Sequence, residues 1–364
     1  MRFLLISLLV SFSLFSCQRR IYNEKELITA FVKHSYYDYK EEDIKKALEN
    51  GVDGLKKIDK NFEFVPLKGK RIRKSKADKP TKEFFYPFVL KKYGDGYIIL
   101  KVFDYTIAYE AGLKPGLLNS INKMNLKDIE PQKLEENLEN SKELTISFND
   151  GNADYSMKVK KEIAAFPFVW SVVIDSQTAY INILSFAKNS SVFIRNNIMN
   201  LRKRAIKKLI IDLRDISGGD YEEVAKIIGY FSKDKKTYFI KSSKEGYTKS
   251  FGEQENIFTD FKLVVIIDRN TALLGEVMAQ SFKENGALIV GEKTGGNVYI
   301  TKLFKVGNET AAKITVAKIY SSSGKDLDEG VIPDYSVRYE NYKKMGLTYV
   351  IDADTAISKA LELF

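Results

Sequence analysis

Cysteine, histidine and tryptophan are almost missing from this chain, and proline is scarce. Its 364 residues include one Cys, one His, one Trp and seven Pro. A lone Cys excludes an internal disulfide. One His and one Cys cannot furnish a zinc site, and no P-loop pattern occurs, so metal and nucleotide chemistry lack support. No cofactor is implied. Seven Pro and 22 Gly argue against long disordered linkers. The sole histidine, His34, lies among Tyr36, Tyr37 and Tyr39, the setting of a packing or surface residue. A catalytic role for it would need a nucleophile from a distant segment. What is present is a chain of 44% hydrophobic residues, globular and long enough for two or three domains. The net charge is +10 and the pI about 9.1. Lysines are spread along almost every segment instead of clustering with aromatics, which excludes a nucleic-acid reading. Contact with anionic lipid headgroups is the more natural use of such charge.

The N-terminus supports that use. Met1-Arg2 precedes an apolar run, Phe3 to Phe15, too short to span a bilayer as a stable helix and suited to a secretory signal. The run ends Leu14-Phe15-Ser16-Cys17, which resembles the bacterial lipobox: a Leu three residues before Cys and a small residue just before it. Phe15 is bulkier than usual at its position. The resemblance implies cleavage after residue 16 and lipidation of Cys17, hence an exported, periplasm-facing lipoprotein of the cell envelope. The alternative is an ordinary cleaved signal with an incidental Cys.

Residues 17–80 read as a helical region and a basic connector. Asn23-Glu24-Lys25-Glu26-Leu27 opens a helix, and Leu27, Phe31, Ile44, Ala47, Leu48, Leu55 and Ile58 recur at helical spacing. Arg71 to Lys82 forms the connector. Residues 81–162 are strand-rich. Tyr97 to Phe103 is a β-branched and aromatic strand, and Tyr109-Glu110-Ala111-Gly112-Leu113-Lys114-Pro115-Gly116 stops a short helix and turns the chain. With Ile121-Asn122-Lys123 this resembles a PDZ domain, although Leu117 and Lys123 replace the usual Asp and Gly. The resemblance implies strand addition of an extended peptide and capture of its C-terminal carboxylate. The carboxylate loop maps to Phe85-Tyr86-Pro87-Phe88, which lacks glycines and loses a donor at Pro87. Helix Pro131 to Leu138 would wall the groove, and strand Leu144 to Phe148 would close the domain. A PDZ-like module that only packs is the competing reading.

Residues 163–364 form the largest unit. Ala179 to Phe186 reads as a strand, and an amphipathic, basic helix runs to Ala205. The strand in Leu209-Ile210-Ile211-Asp212-Leu213-Arg214-Asp215-Ile216-Ser217-Gly218-Gly219 runs into a Gly pair, then a helix over Tyr221 to Phe231. Val264 to Ile267 is a buried strand, Asp268-Arg269-Asn270-Thr271 supplies turn chemistry, and Ala272 to Phe282 has the composition of a helix. Gly286 ends that helix, and strand Ala287 to Val290 leads to the turn Thr294-Gly295-Gly296. Strand alternating with helix implies parallel crossovers. These segments, with Lys313-Ile314-Thr315-Val316-Ala317-Lys318 and Gly330-Val331-Ile332-Pro333-Asp334, resemble the C-terminal processing peptidases (tail-specific proteases). The resemblance runs collinearly from about Phe84 to Phe364. It implies an α+β multidomain chain: a PDZ-like β-rich domain plus a Clp-protease/crotonase-like αββ spiral.

That family carries a Ser-Lys dyad, and here the positions differ. The nucleophile falls two or three residues before Glu276, on Leu274 or Leu273, and the base position after the T-x-G turn is Asn297. Leucine has no nucleophilic atom, and an amide nitrogen is a donor, not a base. The oxyanion donors map to Gly218, Gly219 and Leu274. Ile216 stands where the family usually has Asn. A relocated site would have to draw on Ser217, Ser281, Ser321, Ser322 or Ser323 with Lys293 or Lys325. Ser281 lies about 80° around the helix from Leu273 at 100° per residue and about 12 Å along it. The sequence thus favours a catalytically impaired member that binds peptide or protein C-termini. The alternatives are an active serine peptidase with a displaced nucleophile, acting on C-terminal segments of envelope proteins, and a scaffold or regulatory subunit assembling with an active paralogue.

Overall fold

A computed structural model of the chain describes residues 22–67, 82–104, 106–165, 169–232, 238–241, 248–251, 257–321, 323–338 and 350–364. The signal, Cys17, most of the basic connector and Ser322 lie outside them. The chain divides into two compact units, Met1–Arg71 with Thr301–Thr315, and Ile72–Ile300 with Val316–Phe364.

The smaller unit is built on helices Glu24–His34, Glu41–Leu48 and Gly51–Ile58. The first opens where the sequence places it: the Asn23 side chain accepts from the Glu26 amide. The strand Glu63–Pro66 pairs antiparallel with Thr310–Lys313. Leu27, Phe31, Ile44, Leu55 and Phe62 pack with Val306, Ala312 and Ile314 into one core. The buried Asp59 carboxylate accepts from the Thr315 amide and hydroxyl, each at 2.8 Å. His34 is exposed and stacks on Phe304 with centroids 4.6 Å apart.

In the larger unit a strand-rich region comes first. Strands Phe88–Tyr93, Gly96–Val102, Gly116–Ile121, Glu143–Asn149 and Asp154–Lys160 follow one another across an antiparallel sheet, with Met124–Asn125 paired beside Gly116–Ile121. Glu143–Asn149 alternates buried and half-buried positions, the period of a strand with one face on a core. Helix Pro131–Asn140 carries Pro at its start and buries Leu134 and Leu138. Phe88–Tyr93 is a sheet edge: among the described residues its one strand partner is Gly96–Val102. A two-stranded ladder, Lys82–Phe85 with Glu162–Ala165, closes the region.

The second region is a six-stranded sheet in the order Val169–Val173, Thr178–Ile183, Lys208–Asp212, Lys262–Ile267, Leu288–Gly291 and Tyr335–Ser336. Every pairing after the first is parallel, as strand–helix alternation requires. The connecting helices are Ser190–Lys203, Tyr221–Phe231 and Leu274–Glu284, and helix Thr355–Glu362 packs on the sheet. The strands are apolar on both faces; Thr178–Ile183 is buried at all positions.

One ionic group is sealed inside this sheet. The Arg214 side chain is 2% exposed, and its Nη1 reaches Asp354 at 2.8 Å while its Nε lies 2.9 Å from Asp212 Oδ2. Tyr180 donates to the same Asp212 oxygen at 2.7 Å, and Asn182 donates to the Tyr180 hydroxyl. Asp354 also caps helix Thr355–Glu362 through the amides of Ala356 and Ile357. Without Asp354 the guanidinium is still paired with Asp212, so the loss is one charge-assisted hydrogen bond and a helix cap. Asp354→Ala is therefore expected to lower unfolding free energy by about 2–4 kcal/mol, measured by urea denaturation.

Candidate functional site

Two strand ends and three turns converge at one side of the six-stranded sheet. Lys208–Asp212 runs into Leu213 to Gly219. Gly219 has φ +127°, and a Cβ there would sit 2.6 Å from Phe186 Cβ, so only glycine fits. The next residue, Asp220, caps helix Tyr221–Phe231 by accepting from the amides of Glu222 and Glu223. Lys262–Ile267 ends at Asp268, whose buried carboxylate accepts from the Thr271 amide at 2.8 Å and the Asp215 amide at 3.2 Å. Burial pushes the Asp268 pKa up, and those donors oppose the shift. One side chain thus ties the Gly-pair turn to the turn before helix Leu274–Glu284.

The start of that helix is pressed onto the first turn. The Ala272 amide donates to Ile216 O at 2.9 Å, and a Cβ on Gly275 would meet Ile216 at 2.8 Å. Leu273 then takes φ +48° and ψ −113°. This is sparsely populated space for a branched residue and costs of the order of 1–3 kcal/mol. The helix begins at Leu274, two residues later than its composition suggests, because Leu273 is bent out of helical space. The Leu274 side chain is 1% exposed and lies in the core. Leu273 is half-buried, its Cδ1 3.8 Å from the Cβ position of Gly218. Of the two positions that counting allowed, Leu273 alone sits at the apex beside the Gly pair. The amides of Gly218 and Gly219 have no acceptor among the described residues, and Leu274 opens a helix whose first amides lack intrahelical partners.

The third turn brings in Asn297. The Leu273 amide donates to Asn297 O at 3.0 Å, and the Asn297 side chain is exposed. Glu276, in the first turn of the helix and fully buried, holds this turn: Thr294 Oγ1 donates to its Oε1 at 2.5 Å and the Gly296 amide at 2.7 Å. Burial raises the Glu276 pKa, while Thr294 and the amides of Gly296, Asn297 and Leu273 pull it back. From the other side, Gly296 has φ +73° and leaves no room for a Cβ, which would lie 1.9 Å from Asp328 O. The sequence supplied Glu276 as a landmark for counting; its clamping role was missed. A carboxylate within the apolar run Leu273 to Phe282 was the available signal.

Lys293, Lys325, Ser321 and Ser323 are engaged elsewhere, as is Lys318. Lys318 lies on the strand that bonds Val298, with its side chain 5% exposed. Desolvation disfavours its charge, but Asp326 at 2.7 Å and Asp328 at 2.6 Å outweigh that and hold it protonated. The rings of Tyr299 and Tyr320 flank it. Lys325 Nζ reaches Gln280 Oε1 at 3.3 Å, and Lys293 faces Glu329. The hydroxyls of Ser321 and Ser323 both donate to Glu284 at 2.8 Å. Ser281 is buried on the helix, and Ser217 is exposed beside Gly218. In the strand-rich region, Phe85, Tyr86 and Phe88 are buried, and Pro87 O accepts from the Phe103 amide at 2.9 Å.

Known proteins agree with this architecture. The fold is that of the S41 proteases. A photosystem II D1 C-terminal processing protease superposes with a TM-score of 0.52 at 17% identity, over 86% of this chain and 92% of that one. An S41 protease of Bacteroides fragilis gives 0.50 at 14% identity, over 93% and 96%. Residues 177–337 match the model of peptidase family S41. The Picosynechococcus carboxyl-terminal-processing protease is 27% identical over 60% of this chain and 54% of its own. The Bacillus subtilis carboxy-terminal processing protease is 25% identical over 68% of this chain and 54% of its own. The chain thus spans just over half the length of these relatives. The resemblance to the C-terminal processing peptidases holds.

The Glu276 shift has a sign. Its folded-state pKa lies above the unfolded one, so its protonation stabilises the fold. That contribution is fully present below the unfolded pKa and is lost as pH rises through the folded pKa. Thermal melts from pH 4 upward should show Glu276→Gln flattening this part of the profile relative to the parent chain.

Proposed function

We propose that this chain is a catalytically impaired member of the S41 lineage that binds peptide or protein C-termini in the retained cleft. The observation that carries this reading is Leu273. It sits half-buried at a strained turn between Gly218 and Asn297, where acyl transfer would need a hydroxyl or thiol. Asn297 supplies no basic nitrogen, and the lysine on the adjacent strand, Lys318, is a paired cation. Nucleophile and base act as a unit, so loss of both lowers turnover by orders of magnitude. What remains is an apolar side chain beside free backbone donors, a surface suited to an extended chain with a carboxylate end.

The finer organisation belongs to the same proposal. Residues 81–162 act as a PDZ-like module with its loop at Phe85 to Phe88, and residues 163–364 as a spiral peptidase domain. Cys17 anchors an exported protein to the cell envelope. Its partners are peptide C-termini and the membrane, and an active paralogue is the partner in the scaffold version.

A fluorophosphonate probe tests the catalytic part. The parent chain should remain unlabelled under conditions that label an active serine peptidase. Labelling abolished by Ser→Ala at 217, 281, 321, 322 or 323 would instead establish a relocated nucleophile. The anchor is tested separately: in detergent partitioning Cys17→Ser should move the protein to the aqueous phase. An unchanged distribution would refute lipidation.

A further inference from the structure

The groove beside the open edge strand Phe88–Tyr93 is already filled by the chain itself. Gly96–Val102 pairs with one side of that strand. On the other side Val350 forms a parallel bridge with Leu90. Two residues along, the Lys92 amide donates to the Asp352 carboxylate at 2.7 Å. The opposite wall is helix Pro131–Asn140, and its Glu135 accepts the Val350 amide at 2.7 Å. Val350 and Ile351 are 0% and 1% exposed, in one core with Leu90, Leu134 and Leu138.

Val350 is extended and adds to the sheet edge at one residue, as in strand addition. The chain then enters the 3-10 turn Ile351–Ala353, which buries Ile351 and carries the Asp352 carboxylate to the Lys92 amide. An edge strand covered in this way is also protected from unwanted pairing. The segment states what the groove accepts: an apolar residue opposite Leu90, a second apolar residue, then a carboxylate that takes the Lys92 amide. The helix contributes an acceptor, Glu135, for the incoming backbone amide.

We propose that this groove is a peptide-binding site for segments of apolar-apolar-acidic pattern that set the first apolar residue against the edge strand and then turn, held closed in cis by Val350-Ile351-Asp352. The inference rests on reading residues 81–162 as a peptide-binding module and deepens it. A ligand must compete with a tethered segment, and tethering gives the cis segment a high effective concentration. Free peptide therefore binds weakly until the segment is loosened.

The test is fluorescence anisotropy of a labelled synthetic peptide containing Val-Ile-Asp-Ala, titrated with the full-length chain. Asp352→Ala and Val350→Gly should each tighten binding at least tenfold over the parent chain, and Leu90→Asp in either background should abolish it. Equal affinity in parent and loosened chains would overturn closure in cis while leaving a peptide-binding module intact. No binding in any folded variant would overturn both. Hydrogen exchange on the parent chain needs no variant. The Lys92 and Val350 amides should exchange faster than Ile98 in the neighbouring strand, and peptide at high concentration should slow Lys92 while speeding Val350, whose segment it displaces. Equal protection of all three, unaffected by peptide, would refute the proposal.

Discussion

A single buried carboxylate organises the candidate site. Glu276 receives donors from the turn at Thr294 to Gly296 and lies one helical turn from Leu273. Without it, the Gly296 amide and the Thr294 hydroxyl would lose their buried acceptor, a costly loss. Its burial raises its own pKa, so the clamp is held against a desolvation penalty that its donors offset. The other constraints are steric. Gly219, Gly275 and Gly296 each stand where a methyl group would collide with backbone or a side-chain root. Together they fix the Gly-pair turn, the helix start and the Asn297 turn within contact distance.

Leu273 stands at the apex of a sharp turn between strand Lys262–Ile267 and helix Leu274–Glu284. Leucine at φ +48° gains nothing locally from that conformation, so the strain is held by the surrounding hydrogen bonds. The Leu273 amide to Asn297 O and the Ala272 amide to Ile216 O fix the backbone on both sides of the bend. A frame this over-determined tolerates replacement of its side chains far better than replacement of its glycines.

Much of this was legible in the residues. The β-branched runs around Ile210, Val265 and Ile289 are buried parallel strands because no other element suits short runs apolar on both faces. The Asn23 cap, the Gly286 stop and the Pro131 start were readable because they act within a few residues. The choice between Leu273 and Leu274 was not, since composition carries no record of a backbone bent by distant contacts. Nor were the roles of Glu276 and Lys318, whose partners lie on other elements. The contributions of Thr301–Thr315 to the helical unit and of Val350 to the edge of Phe88–Tyr93 were equally hidden. Both are pairings between segments hundreds of residues apart, which leave no periodic trace.

The double duty of Asp354 has a consequence for communication across the larger unit. It caps the last helix, pairs with Arg214 inside the sheet, and follows Asp352 by two residues. The run from Val350 to Asp354 is therefore a short lever with one end on the sheet edge and the other on a buried ion pair. Linkage makes such a coupling reciprocal: whatever favours one end must change the affinity at the other by the same factor. Arg214 lies between Asp212 and Ile216 in the turn that leads from the strand to the Gly pair. Occupancy of a distant groove and the set of the cleft turn are thus joined by two short stretches of chain that meet at the Arg214–Asp354 ion pair.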